Sequence, residues 1–147
     1  MALSKEGLAL IKHHEGFSAT TYLDVAGYPT IGYGHLIRPS ETSLEGARLS
    51  EEEAEALLLR DVASAERSVL KLITVPLKQN QYDALVSFTF NLGGGALQAS
   101  TLRAKVNRED HDAVPEQFMR WVFAGGRKVK GLITRRQEEA NLYAGRY

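Results

Sequence analysis

The stretch from Ser50 to Ile73 constrains this chain more than any other. Ala54, Leu57, Leu58, Val62, Ala65, Val69, Leu72 and Ile73 recur mostly at spacings of three and four, the apolar stripe of an amphipathic α-helix. Ser50 followed three residues later by Glu53 forms a capping box, and Glu51 and Glu52 add negative charge where the helix dipole is positive. Pro76 ends the pattern. A helix of about 22 residues spans roughly 33 Å. That is long enough to connect two lobes of a small protein.

The segments on either side differ in texture. Before the long helix, residues 4–14 read as a short helix capped by Ser4, with Leu8 and Ile11 opening an apolar stripe and Gly16 as its stop. From Phe17 to His35 strand formers dominate: Thr20, Thr21, Tyr22, Tyr28, Thr30, Ile31 and Tyr33, punctuated by Gly27, Gly32 and Gly34. This predicts a small antiparallel hairpin or three-stranded sheet turning near Asp24 to Gly27. Arg38 to Leu49 reads as loop. After the long helix the chain is helical. Asn80 to Leu92 is apolar nearly all round, the mark of a central helix. Helices follow from about Thr101 to Asn107, from Pro115 with Phe118, Trp121 and Val122, and from Lys130 to Ala144, with Gly93 to Gly95 and Gly125-Gly126 as breaks. The expected fold is α+β and predominantly helical. It is one two-lobed domain over 1–147: an N-terminal lobe of about 1–60 with the small sheet, a connecting helix of about 50–74, and a helical C-terminal lobe of about 75–147.

With 147 residues the chain can bury roughly two-thirds of its unfolded surface without disulfides or metal. It has no cysteine, which excludes thiolate metal sites and cysteine nucleophiles. The longest uncharged run, Ala84 to Leu102, is broken by three glycines and several polar residues, so it predicts a buried helix and a loop, with no stable membrane insertion. Charge balances overall but is unevenly placed. Residues 1–75 carry 7 basic and 11 acidic side chains, residues 76–147 the reverse, 11 and 7. The acid-free run holding Arg120, Arg127, Lys128, Lys130, Arg135 and Arg136 suits either a solvated face or a polyanion. No zinc ligands or recognition-helix motif accompany it, and the N-terminal half is acidic, which argues against nucleic acid.

The chemistry concentrates at Glu15, Asp24 and Thr30. Glu15 continues the stripe of Leu8 and Ile11 and falls in the last turn of its helix. Burial and the negative end of the helix dipole would both favour the protonated acid there. Asp24 falls at a polar turn where a charged carboxylate is easily solvated. Two carboxyls in contrasting surroundings suit acid–base work on a glycosidic bond; a helix-end ion pair and a turn former account for the same spacing. His35 reads as a buried, paired histidine. Adjacent His13 and His14 point about 100° apart on a helix and cannot chelate together, and Gly93-Gly94-Gly95 lacks the Lys-Ser/Thr of a phosphate loop.

The runs Glu15-Gly16-Phe17, Tyr22-Leu23-Asp24 and Gly27-Tyr28-Pro29-Thr30-Ile31-Gly32-Tyr33-Gly34-His35 resemble the phage-type lysozymes, the endolysin muramidases of tailed phages. The steps from Glu15 to Asp24 and from Asp24 to Thr30 match that family's Glu–Asp–Thr triad, and Gln81 to Gly93 and Arg120 to Thr134 look like its C-terminal lobe. The fit is poorer at Arg38 to Ala47 and at Gly94 to Ser100. The resemblance implies hydrolysis of the β-1,4 bond between N-acetylmuramic acid and N-acetylglucosamine in peptidoglycan, with no metal or cofactor. Glu15 would be the general acid, and Asp24 with Thr30 would handle the attacking water in an inverting reaction, in a cleft between the lobes. By similarity, Leu36, Phe90 and Thr101 fall at substrate-binding positions. The partner expected is the peptidoglycan glycan strand, met by a monomer that waits in the host cytoplasm for a separate holin-like permeabiliser before acting on the wall from the periplasm. A non-catalytic peptidoglycan-binding module and a lytic transglycosylase are the alternatives.

Overall fold

The computed structural model describes residues 1–146. Its elements run α1 (Lys5–Glu15), β1 (Ser18–Leu23), β2 (Pro29–Gly32), β3 (His35–Leu36), α2 (Glu51–Leu72), α3 (Gln79–Leu92), α4 (Gly94–Ala99), α5 (Thr101–Asn107), α6 (Val114–Phe118), β4 (Phe123–Ala124), β5 (Arg127–Lys128) and α7 (Lys130–Tyr143). Helix predominates and a small antiparallel sheet forms in the N-terminal half, as the sequence predicts; a second, two-stranded sheet, β4-β5, is an addition. The chain divides into two compact units. One is Ile11–Ala63; the other is Met1–Leu10 together with the chain from Ser64 onward. The boundaries fall inside α1 and α2.

The Ile11–Ala63 unit is built on the sheet β1-β2-β3. Tyr22 pairs with Thr30 and Leu23 with Pro29, while Thr30 pairs with Leu36 and Ile31 with His35 on the other edge. β1 is irregular between Ser18 and Tyr22. Ile11, Ile31, Tyr33, Ile37, Leu49, Ala54, Leu58 and Val62 are buried in this unit. The predicted capping box forms: the Ser50 Oγ accepts the Glu53 N–H (3.1 Å) and the Glu53 carboxylate accepts the Ser50 N–H (2.9 Å), satisfying two orphan donors where α2 begins. Arg38 to Leu49 departs from expectation. Pro39–Leu44 winds into 3-10 turns, and Glu41 folds back to accept the Arg38 N–H at 3.0 Å.

In the helical unit α3 is central. Gln81 to Thr89 are buried without interruption, which accounts for a sequence apolar on nearly all sides. α7 packs on it through an ionic core. Arg136 and Glu139 are fully buried, their Nε and Oε1 atoms 2.7 Å apart. Glu139 also accepts from Ser87 Oγ (2.5 Å) and Arg136 Nη2 (3.1 Å), and Arg136 Nη2 donates to Asn91 as well (2.9 Å). Burial pushes the Glu139 carboxyl up and the Arg136 guanidinium down, against their mutual attraction.

Three expectations for this half need correction. Gly94–Ala99, expected as loop, is the helix α4. The helix at Pro115 ends at Phe118, so Trp121 stands beyond it, edge-on to Phe88 at 5.5 Å between ring centres. Gly125 and Gly126 form the turn of a hairpin pairing Phe123 with Lys128 and Ala124 with Arg127. Both glycines have positive φ, 58° and 78°, the pattern of a two-residue hairpin turn that suits the twist of the strands.

Candidate active site

Glu15 is the last residue of α1, and Gly16, at φ 71°, turns the chain toward β1 while its N–H bonds the Lys12 carbonyl at 2.9 Å. The glutamate is half-buried rather than set in the core, because the helix ends there instead of carrying the stripe further. Its carboxylate lies against Gly34. A Cβ at Gly34 would stand 2.9 Å from Glu15 Oε1, and Gly34 has φ 79°. A side chain there would meet the carboxylate and strain the backbone together. Gly34 in the Thr30-Ile31-Gly32-Tyr33-Gly34-His35 run therefore makes the seat of the Glu15 carboxylate.

Asp24 closes the β1–β2 turn. Its Oδ1 accepts the N–H groups of Ala26 and Tyr28, both at 2.9 Å, and its backbone N–H and C=O bond Tyr28 and Gly27. Both side-chain bonds use Oδ1. Thr30 follows on β2. It is buried, and its Oγ1 donates to the Tyr28 carbonyl at 3.0 Å, which leaves the hydroxyl oxygen able to accept. Leu36, across the sheet from Thr30, is half exposed.

Tyr22, a strand former by its sequence, belongs with these. It stands opposite Thr30 and, with Glu15, Gly16, Phe17 and Ser18, lines a pocket of about 300 Å³. His35 is buried and paired, as expected. Its Nδ1 lies 2.8 Å from Asp61 Oδ2 and its Nε2 3.1 Å from Glu41 Oε1. These contacts tie β3, one residue beyond Gly34, to α2 and the 3-10 segment. The Arg38 backbone N–H, with lesser help from His35, holds the Glu41 carboxyl below its ordinary range.

Phe90 and Thr101 lie in the helical unit. Phe90 is half-buried on α3; Thr101, exposed at the start of α5, lines a pocket of about 240 Å³ with Ser100, Gln117, Arg120 and Trp121. A larger pocket of about 670 Å³, around Lys78, Gln81, His111 and Tyr143, contains none of the candidates. Among the described residues, no three His, Asp or Glu side chains gather closely enough to hold a metal ion.

Residues 12–139 match the phage lysozyme family. This chain belongs to that family. It is 40% identical to the endolysin of Acyrthosiphon pisum secondary endosymbiont phage 1, over 97% of this chain and 98% of that protein. It is 39% identical to the endolysin of Bacillus phage B103, over 97% of this chain but 54% of the relative, so it spans about half that relative's length. Its fold matches a crystal structure of a P22 lysozyme mutant with a TM-score of 0.89 and 34% identity, covering 98% of this chain and 99% of the other. Membership extends from the Lys12 end of α1 through Glu139 of the ionic core. It therefore takes in all six candidate positions of this lysozyme-family chain. No helix among its described residues is long and apolar enough to cross a membrane.

Proposed function

We propose that this chain is an endolysin that hydrolyses the β-1,4 glycosidic bond between N-acetylmuramic acid and N-acetylglucosamine in peptidoglycan. Glu15 is the general acid that protonates the leaving glycosidic oxygen. Asp24 draws the proton from the attacking water, and Thr30 helps hold that water. The observation that carries the reading is the contrast between the two carboxyls. Glu15 is half-buried at a helix C-terminus against Gly34. Asp24 is clamped in a polar turn through one oxygen by two backbone N–H groups. Two carboxyls held in such different surroundings suit a division of labour between an acid and a base.

The reaction is inverting on this reading, with water entering between carboxyls held about 6.5–9.5 Å apart in enzymes of that type. Leu36, Phe90 and Thr101 contact the glycan. The relatives named endolysin and lysozyme support the substrate class, and the basic second half of the chain suits an anionic wall polymer, with a salt-dependent attraction. The enzyme reaches the wall from the host cytoplasm through a separate permeabiliser; periplasmic enzyme in cells lacking one would refute that route. The direct test is lysis of purified sacculi by Glu15→Gln and Asp24→Ala, with sacculus binding measured alongside. Retained binding with lysis abolished in the first and heavily reduced in the second supports the reading. Lysis at the wild-type rate by Glu15→Gln removes it.

A further inference from the structure

Several features meet at Tyr22. Residues directly opposite each other in an antiparallel pair share a face of the sheet, with Cβ atoms about 4.5–5.5 Å apart. Tyr22 is opposite Thr30, and Thr30 is opposite Leu36, so the three form one row across the three strands. Thr30, in the middle, is buried, while Tyr22 is 40% exposed and Leu36 50%. Tyr22 also shares the pocket of about 300 Å³ with Glu15.

The charges acting on Tyr22 tell the same story. Burial pushes its phenol up, and the negative charges of Glu15, from the end of α1, and Asp24, from the β1–β2 turn, push it the same way. Both carboxyls therefore lie within electrostatic reach of one hydroxyl. A phenol shifted upward from an ordinary value of about 10 stays protonated at neutral pH, so it can donate a hydrogen bond.

We propose that Tyr22 is a positioning residue of the reaction, its phenol O–H orienting the water that Asp24 and Thr30 hold. The proposal rests on the roles assigned above to Glu15 and Asp24. Without the hydroxyl the water is held less well at Thr30, so turnover falls while substrate binding is kept. The aromatic ring, by contrast, is kept in a phenylalanine.

The experiment compares wild type, Tyr22→Phe, Tyr22→Leu and Glu15→Gln in the full chain, measuring kcat and KM on solubilised glycan strands. Thermal melts verify folding. The expected result for Tyr22→Phe is wild-type melting, unchanged KM and kcat lower by about tenfold. Tyr22→Leu loses at least as much kcat. If Tyr22→Phe keeps wild-type kcat, the proposal is overturned. It is overturned equally if KM alone rises, since that outcome makes Tyr22 a saccharide platform. An inactive Glu15→Gln beside a wild-type-like Tyr22→Phe refutes the Tyr22 proposal alone, whereas an active Glu15→Gln refutes the acid assignment beneath it.

Discussion

The Glu15 carboxylate rests on the bare Cα of Gly34. The last residue of a helix and a left-handed residue between two short strands meet where a single methyl group would stand 2.9 Å from Oε1. The contact joins two parts of the chain nineteen residues apart, and each is fixed by its own local chemistry. α1 stops at Gly16, and β3 is anchored by His35 to Asp61 and Glu41.

Gly34→Ala should therefore act on the acid more than on the fold. The new methyl group displaces the carboxylate, and misplacing a catalytic group by about 1 Å can cost on the order of 10²-fold in rate. The backbone strain at φ 79° adds roughly 1 kcal/mol of destabilisation. Lysis rates and a thermal melt of the variant measure both. A variant as active as wild type would show that Glu15 does not depend on this seat.

Asp24 separates structure from chemistry by the choice of replacement. Asparagine keeps an oxygen for the exposed Ala26 and Tyr28 N–H groups, whereas alanine leaves both to water. Asp24→Asn should melt close to wild type yet hydrolyse poorly. Asp24→Ala should lose about 0.5–1.5 kcal/mol in addition. Urea denaturation beside sacculus turbidity assays distinguishes the two. Equal stability of the two variants would mean that the turn bonds contribute little.

The ionic core of the helical unit makes a prediction about stability alone. Glu139→Ala leaves the fully buried Arg136 without its carboxylate partner, and breaking a buried pair in this way costs about 3–5 kcal/mol. A melting temperature within a degree or two of wild type would contradict this.

Glu41 predicts a pH dependence. Its carboxyl is held below its ordinary value, chiefly by the Arg38 N–H. A group depressed in the folded state contributes stability above its unfolded pKa of 4.5 and loses it as pH falls through the folded value. Wild type should therefore melt above Glu41→Gln at neutral pH, with the gap closing as the pH is taken below 4.5. A constant gap would show that the bond does not depend on the charge.

Much of this was legible in the sequence where a local rule decided the outcome. The Ser50–Glu53 capping box and its apolar stripe predict α2, and the turn residues at Asp24 to Gly27 predict the hairpin. The family likeness is what singles out Glu15, Asp24 and Thr30 for the proposed chemistry. The departures have local causes too. Three glycines from Gly93 hid α4, because a six-residue helix held by its neighbours overrides poor propensity. Gly125-Gly126 was read as a break, although two adjacent glycines also signal a tight hairpin. Tyr22 required register as well as pattern. Once Asp24 pairs with Tyr28 around the turn, Tyr22 must stand across from Thr30. The seat at Gly34 is a tertiary approach that no local pattern announces.

Water-mediated hydrolysis with Glu15 as the acid leaves a chemical signature in the products. Purified sacculi are digested with wild type and with Glu15→Gln, and the released muropeptides are separated and identified. Wild type should release new free muramic-acid reducing ends and the mutant none. Products ending in 1,6-anhydromuramic acid would contradict it, because no water would then enter for Asp24 and Thr30 to hold. Sacculi bound but uncut by either protein would contradict it too, and would make the chain a wall-binding module.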